Sequence, residues 1–97
     1  MSRVNMTRGF VRNARCPARL TMIEYQDVQV PGLILSVRNI ELKRFMLRYW
    51  DRDDFERYHY IGSFPEMPLN FARGEAELYA EELKRGVFPS DGLKYRD

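Results

Sequence analysis

From Leu33 onward the chain alternates with period two: Leu33, Leu35 and Val37 fall on one side, and Ile34, Ser36 and Arg38 on the other. That is the pattern of a strand with one buried face. The Pro31-Gly32 pair before it suits a turn, because proline presets φ at the second turn position and glycine accepts positive φ at the third. After a loop at 39–42 the alternation resumes, with Phe45, Leu47 and Tyr49 inward and Arg44, Met46, Arg48 and Trp50 outward. Asp51-Arg52-Asp53-Asp54 is rich in the residue that bonds its own backbone in turns, and it marks a hairpin tip. A third strand returns over 55–61, aromatic-rich and β-prone. It places Arg57, His59 and Ile61 on the inner face and Glu56, Tyr58 and Tyr60 on the outer, and Gly62 ends it.

Between Leu69 and Arg85 the period becomes that of a helix. Leu69, Ala72, Ala76, Tyr79, Ala80 and Leu83 form one stripe, and Glu75, Glu77, Glu81, Glu82 and Lys84 point away from it. The end is marked by Lys84 and Arg85 beside the carbonyl pole, by Gly86 as a left-handed cap and by Pro89 beyond. The start is weaker: Pro68 suits the first helical position, but neither Met67 nor Pro68 is a good N-cap, and Gly74 costs about 1 kcal/mol relative to alanine. Together these elements predict an α+β domain, a three-stranded antiparallel sheet packed on one side by a single C-terminal helix. The 97-residue chain then divides into a basic N-terminal arm at 1–26, a sheet-plus-helix domain at 27–89 and a tail at 90–97.

One helix on a three-stranded sheet leaves the other face bare. That face would carry Ile34, Ser36, Arg38, Arg44, Met46, Arg48, Trp50, Tyr58 and Tyr60, a mixture of arginine and aromatics suited to recognition. It could instead be covered in part by the N-terminal segment. The formal net charge of +2 implies no partner, but its distribution is uneven, because Arg3, Arg8, Arg12, Arg15 and Arg19 all precede the first acid, Glu24. Such a segment is either a solvated leader or an arm that tracks phosphates.

Candidate chemistry is sparse. A single domain of this size has one core and little room for a deep cleft. With one cysteine, Cys16, and one histidine, His59, there is no internal disulfide, no zinc ligand set and no nucleophile paired with a base. His59 falls on the helix side, as a structural histidine would. The acids from Asp51 to Glu56 lack the spacing of a calcium loop, and the glycines are too scattered for a phosphate loop. No catalytic residue, metal or cofactor is expected, nor a small-molecule substrate. The apolar runs are too short to span a bilayer or form a signal peptide, so a cytoplasmic protein without membrane contact is expected.

In this order the residues resemble the N-terminal DNA-binding domain of phage and genomic-island tyrosine recombinases, the integrases. The resemblance spans roughly Asp27 to Pro89. It rests on Pro31-Gly32-Leu33 opening the first strand, on Lys43, Phe45, Arg48 and Tyr49 in the second, and on Ile61-Gly62-Ser63-Phe64-Pro65-Glu66 after the third. Leu69-Asn70-Phe71-Ala72-Arg73 then opens the helix and Gly86-Val87-Phe88-Pro89 closes it. The resemblance implies a non-catalytic module that lays its sheet on double-stranded DNA at arm-type sites during site-specific integration and recombination of a prophage or other mobile element. The recombinase's catalytic tyrosine, arginines and His-x-x-Arg element have no counterpart here. The DNA-binding candidates are Arg38, Lys43, Arg44, Arg48, Trp50, Tyr58 and Tyr60 on the sheet, with Arg8, Arg12, Arg15 and Arg19 following the backbone. The sequence departs from the family in its hairpin, where Asp51 to Arg57 carries more acids than bases instead of a basic run, and in Pro68 at the helix start. The acidic hairpin supports an alternative: a freestanding mobile-element protein that binds or inhibits a host or phage protein through the exposed sheet face.

Overall fold

A computed structural model of the chain describes residues 1–89. In it the elements run β1 (Ser2–Val4), α1 (Arg8–Asn13), β2 (Met22–Asp27), β3 (Leu33–Arg38), β4 (Lys43–Trp50), β5 (Glu56–Phe64) and α2 (Leu69–Lys84). The class is α+β, as the periodicities predict, but the sheet has five strands in the order β1-β2-β3-β4-β5. It is mixed rather than antiparallel, because β1 pairs with β2 in parallel while the other neighbours are antiparallel. The predicted tail at 90–97 lies outside the described residues.

The N-terminal segment is therefore no separate arm: residues 1–26 supply β1, α1 and most of β2. Parallel strands cannot be joined by a tight turn and need a crossover, and the stretch from Val4 to Met22 carries α1 across. Six residues are too few for a stable isolated helix. The Thr7 side chain caps its start by accepting from the Phe10 amide at 3.0 Å. Val11 is fully buried in the main core, and Phe10 meets Tyr25 edge-on at 4.9 Å.

Both helices pack on the same side of the sheet. Leu33, Leu35, Val37, Phe45, Leu47 and Tyr49 meet Leu69, Ala72 and Ala76 of α2, with Met6, Val11 and Ala14 extending the core toward β1. The N-terminal segment thus thickens the helix layer and does not fold over the opposite face. β5 continues past Gly62 to Phe64, because a bulge opposite Phe45 and Met46 lets the strand absorb one extra residue. Gly62 sits under Met67, whose Sδ lies 2.7 Å from where a Cβ would be. Pro68 precedes α2 as an N-cap without a side-chain hydrogen bond.

A buried ion pair ties the helix layer to the sheet. Asp27, with a fully buried side chain, accepts from Arg73 Nε at 2.9 Å and from a terminal guanidinium nitrogen at 3.1 Å. It also accepts from the Met6 amide at 3.3 Å and the Val30 amide at 3.2 Å. The same Arg73 nitrogen donates to the Met6 carbonyl at 2.6 Å. Burial alone would raise the Asp27 pKa, but the Arg73 hydrogen bonds and charge, with neighbouring backbone amides, outweigh it and hold the carboxyl below its ordinary value.

Candidate nucleic-acid interface

The face opposite the helices is built by strand register. Met22 lies opposite Arg38, and Glu24, Ser36, Arg44 and Ser63 form the next row. A longer row follows: Arg3, Gln26, Ile34, Met46 and Tyr60, one residue from each strand. Toward the hairpin, Arg48 pairs with Tyr58 and Trp50 with Glu56. Arg38, Arg44, Arg48, Trp50 and Tyr60 thus share one surface, as their alternation predicts. Trp50 and Tyr60 are about half exposed, at 49% and 47%.

Two of the predicted contacts, Tyr58 and Lys43, are not exposed on this surface. Tyr58 is on this face but only 1% exposed, because its ring packs with Ile34 and Met46 into a second small cluster beneath the longer side chains. It supports the surface and does not present it. Lys43 is on the opposite, helix-facing side. Its ammonium donates to the carbonyls of Val11 at 2.8 Å and Arg12 at 2.6 Å, closing the C-terminal end of α1. Burial pushes the Lys43 pKa down, Arg15 adds to the effect and Glu41 opposes it. Replacing Lys43 with methionine is expected to cost about 1.5–3 kcal/mol of stability, the range for hydrogen bonds to a charged group. The affinity of the folded fraction for DNA should stay within about threefold, since no phosphate contact is removed. Chemical denaturation beside a binding titration separates the two effects.

The N-terminal arginines are spread over the helix side and the strand ends. Arg8 and Arg12 are exposed on α1, and Arg19 is exposed in the segment before β2. Arg15 lies at the end of β3 on the helix side, where with Val37, Arg38, Asn39, Glu41 and Lys43 it lines a small cleft of about 100 Å³, its Nε 4.0 Å from Glu41. Arg3 is the residue that periodicity does not find. A three-residue strand shows no alternation, and only the parallel pairing with β2 puts Arg3 in the middle row of the face.

The acidic hairpin is partly neutralised within the fold. Asp51 accepts from the amides of Asp53 at 2.9 Å and Phe55 at 3.0 Å, and from Arg57 Nε at 2.7 Å. The Phe55 amide, with Arg57 and the Asp53 amide, holds the Asp51 carboxyl below its ordinary pKa against a smaller opposing effect of burial. Glu56 lies 3.8 Å from Arg48, whose guanidinium is 5.3 Å from the centre of the Trp50 ring. Exposed acids remain at Asp53 and Asp54, the latter in left-handed backbone at φ 64. The face therefore has a charge gradient along its strands, from the basic end at Arg38 and Arg44 to the acidic hairpin tip.

His59 is buried on the helix side, its ring 4.4 Å from that of Tyr79. Among the described residues no group of three or more His, Cys, Asp or Glu could hold a metal ion, and no helix is long and apolar enough to cross a membrane. A family model described as an arm DNA-binding domain matches residues 6–94. No curated protein matches the chain.

Proposed function

The chain belongs to the arm DNA-binding domain family, and on that premise we propose that it is the arm-site module of a phage or prophage integrase, binding duplex DNA through the sheet face opposite the helices. The observation that carries this reading is the gathering of Arg3, Arg38, Arg44 and Arg48 with Trp50 and Tyr60 on one surface, by strands that pair only in the folded domain.

Adjacent strands lie about 4.8 Å apart, so β3 to β5 span roughly 10 Å. That width suits a major groove about 12 Å across. Arg38 and Arg44 reach phosphates or guanine edges at the basic end. Trp50 and Tyr60 contact sugars and base edges, while Arg48, oriented by Glu56 and the Trp50 ring, lies between the two groups. Arg15 extends the phosphate track around the strand ends, and Arg8, Arg12 and Arg19 add longer-range attraction. Asp53 and Asp54 repel phosphate, which turns the duplex toward the Arg38 end.

Fluorescence anisotropy with a labelled duplex across a salt series tests this. The logarithm of the association constant should fall linearly with log salt, with a slope near −0.9 for each phosphate neutralised. Lysine at both Asp53 and Asp54 should tighten binding by at least about threefold at 0.1 M salt and steepen that slope. No salt-sensitive binding to any duplex would sink the proposal. Under the alternative reading, in which this face binds a protein, the same substitutions would instead weaken binding of that protein partner.

A further inference from the structure

The outer surface of α2 takes no part in the sheet site. Leu69, Ala72 and Ala76 face the core, whereas Phe71 and Leu78 are turned to solvent, each 64% exposed. Between them Gly74 forms the floor of a shallow groove of about 350 Å³, completed by Asn70 and Glu75. The spacing 71, 74, 75, 78 is that of one helix face.

Folding of the domain does not require this arrangement. Exposed helix positions are served better by Glu, Lys or Gln than by Phe. A mid-helix glycine destabilises relative to alanine, and apart from its chain neighbours and the helix's own backbone no described atom lies within 4 Å of where a Gly74 Cβ would stand. Among the described residues nothing therefore excludes a side chain there, whereas a backbone packed close from outside would. The border is acidic: Glu75, Glu77, Glu81 and Glu82 stand against Lys84 and Arg85, and Lys84 Nζ is 3.2 Å from Glu81. Such a border repels DNA, so the occupant differs from the ligand of the sheet.

We propose that the outer face of α2 docks a basic, amphipathic helix of a protein partner. Apolar side chains of that helix seat beside Phe71 and Leu78, its backbone crosses close over Gly74, and its Lys or Arg side chains lie against Glu75 and Glu82. The domain then presents a basic face to DNA and an acidic, apolar-anchored face to protein, on opposite sides of one core.

The probe is a synthetic amphipathic Leu/Lys helix, with a Leu/Glu peptide of the same pattern as control, titrated into the isotope-labelled 97-residue chain and followed by amide NMR. The Leu/Lys peptide is expected to shift signals over 70–85, and the Leu/Glu peptide none. Phe71→Ser combined with Leu78→Ser should weaken binding at least about tenfold, as expected for loss of two anchors. Gly74→Ala should raise the unfolding temperature yet weaken the peptide severalfold, a pairing that a purely structural glycine would not give. Both variants should retain duplex affinity. Shifts that are absent or spread over the sheet, or peptide affinity that survives these substitutions, would overturn the proposal. So would a wild-type dimer by light scattering that the Phe71 and Leu78 substitutions dissolve, because the face would then belong to a second copy.

Discussion

Alanine in place of Arg73 is expected to destabilise the domain by about 3–5 kcal/mol, the usual cost of removing one partner from a buried ion pair. Urea denaturation followed by circular dichroism measures it. The loss is large because three elements share the group. Asp27 at the end of β2 keeps its buried carboxylate but loses both guanidinium bonds, and the Met6 carbonyl after β1 loses its 2.6 Å donor. α2 loses this polar tie to the sheet. For a domain whose whole stability is on the order of 5–15 kcal/mol, such a loss brings it close to unfolding at body temperature.

The pH dependence has a definite sign. The folded pKa of Asp27 lies below its ordinary 3.8, so its contribution is fully present above that value and is lost as pH falls through the folded one. Removing Arg73 takes away two of the influences that lower this pKa. The stability gap between wild type and the Arg73→Ala variant should therefore narrow on acidification below about pH 4. A gap independent of pH would show that Arg73 acts through packing alone.

The double substitution Arg38→Ala and Arg44→Ala is expected to weaken duplex binding about 50- to 100-fold at 0.1 M salt. Each phosphate contact adds about 0.9 to the salt slope, which amounts to roughly eightfold between 1 M and 0.1 M salt. The slope itself should fall by about 1.8. Both residues lie at the basic end of the face, Arg38 opposite Met22 and Arg44 opposite Ser36 and Ser63. The contrast with Lys43→Met is the sharper test. The three side chains are near neighbours at one end of the sheet, yet one variant should lose binding and the other stability.

Strand parity and turn chemistry made much of this surface legible in advance. Arg44, Met46, Arg48 and Trp50 were separable from Phe45, Leu47 and Tyr49 because each strand residue must point to the opposite side from its neighbour. β2 has the same alternation, with Ile23 and Tyr25 inward, but its third inward residue is Asp27. A carboxylate at a core position reads as a strand end. It is tolerated because Arg73, 46 residues later, reaches it together with the Met6 and Val30 amides. The Leu-x-x-Ala-Arg segment that carried part of the family resemblance thus has a physical role: Leu69 and Ala72 are core, and Arg73 is the clamp. The role of Lys43 escapes local pattern for a similar reason. Its basic character suggested DNA, whereas a partner 31 and 32 residues away, the end of α1, decided its role.

The sequence by itself determined the α+β class, the strands β3 and β4 with their faces, the hairpin, the span of α2 and the family. These depend on periodicity, turn residues and short motifs, which neighbouring residues encode. Only the tertiary structure decided that the sheet has five strands, that the basic N-terminal segment is woven into the fold, that Tyr58 is buried beneath the face opposite the helices and that Arg3 joins that face. Each of those outcomes depends on pairing between segments distant in sequence, where a three-residue strand or a lone charge has no local period to reveal its partner.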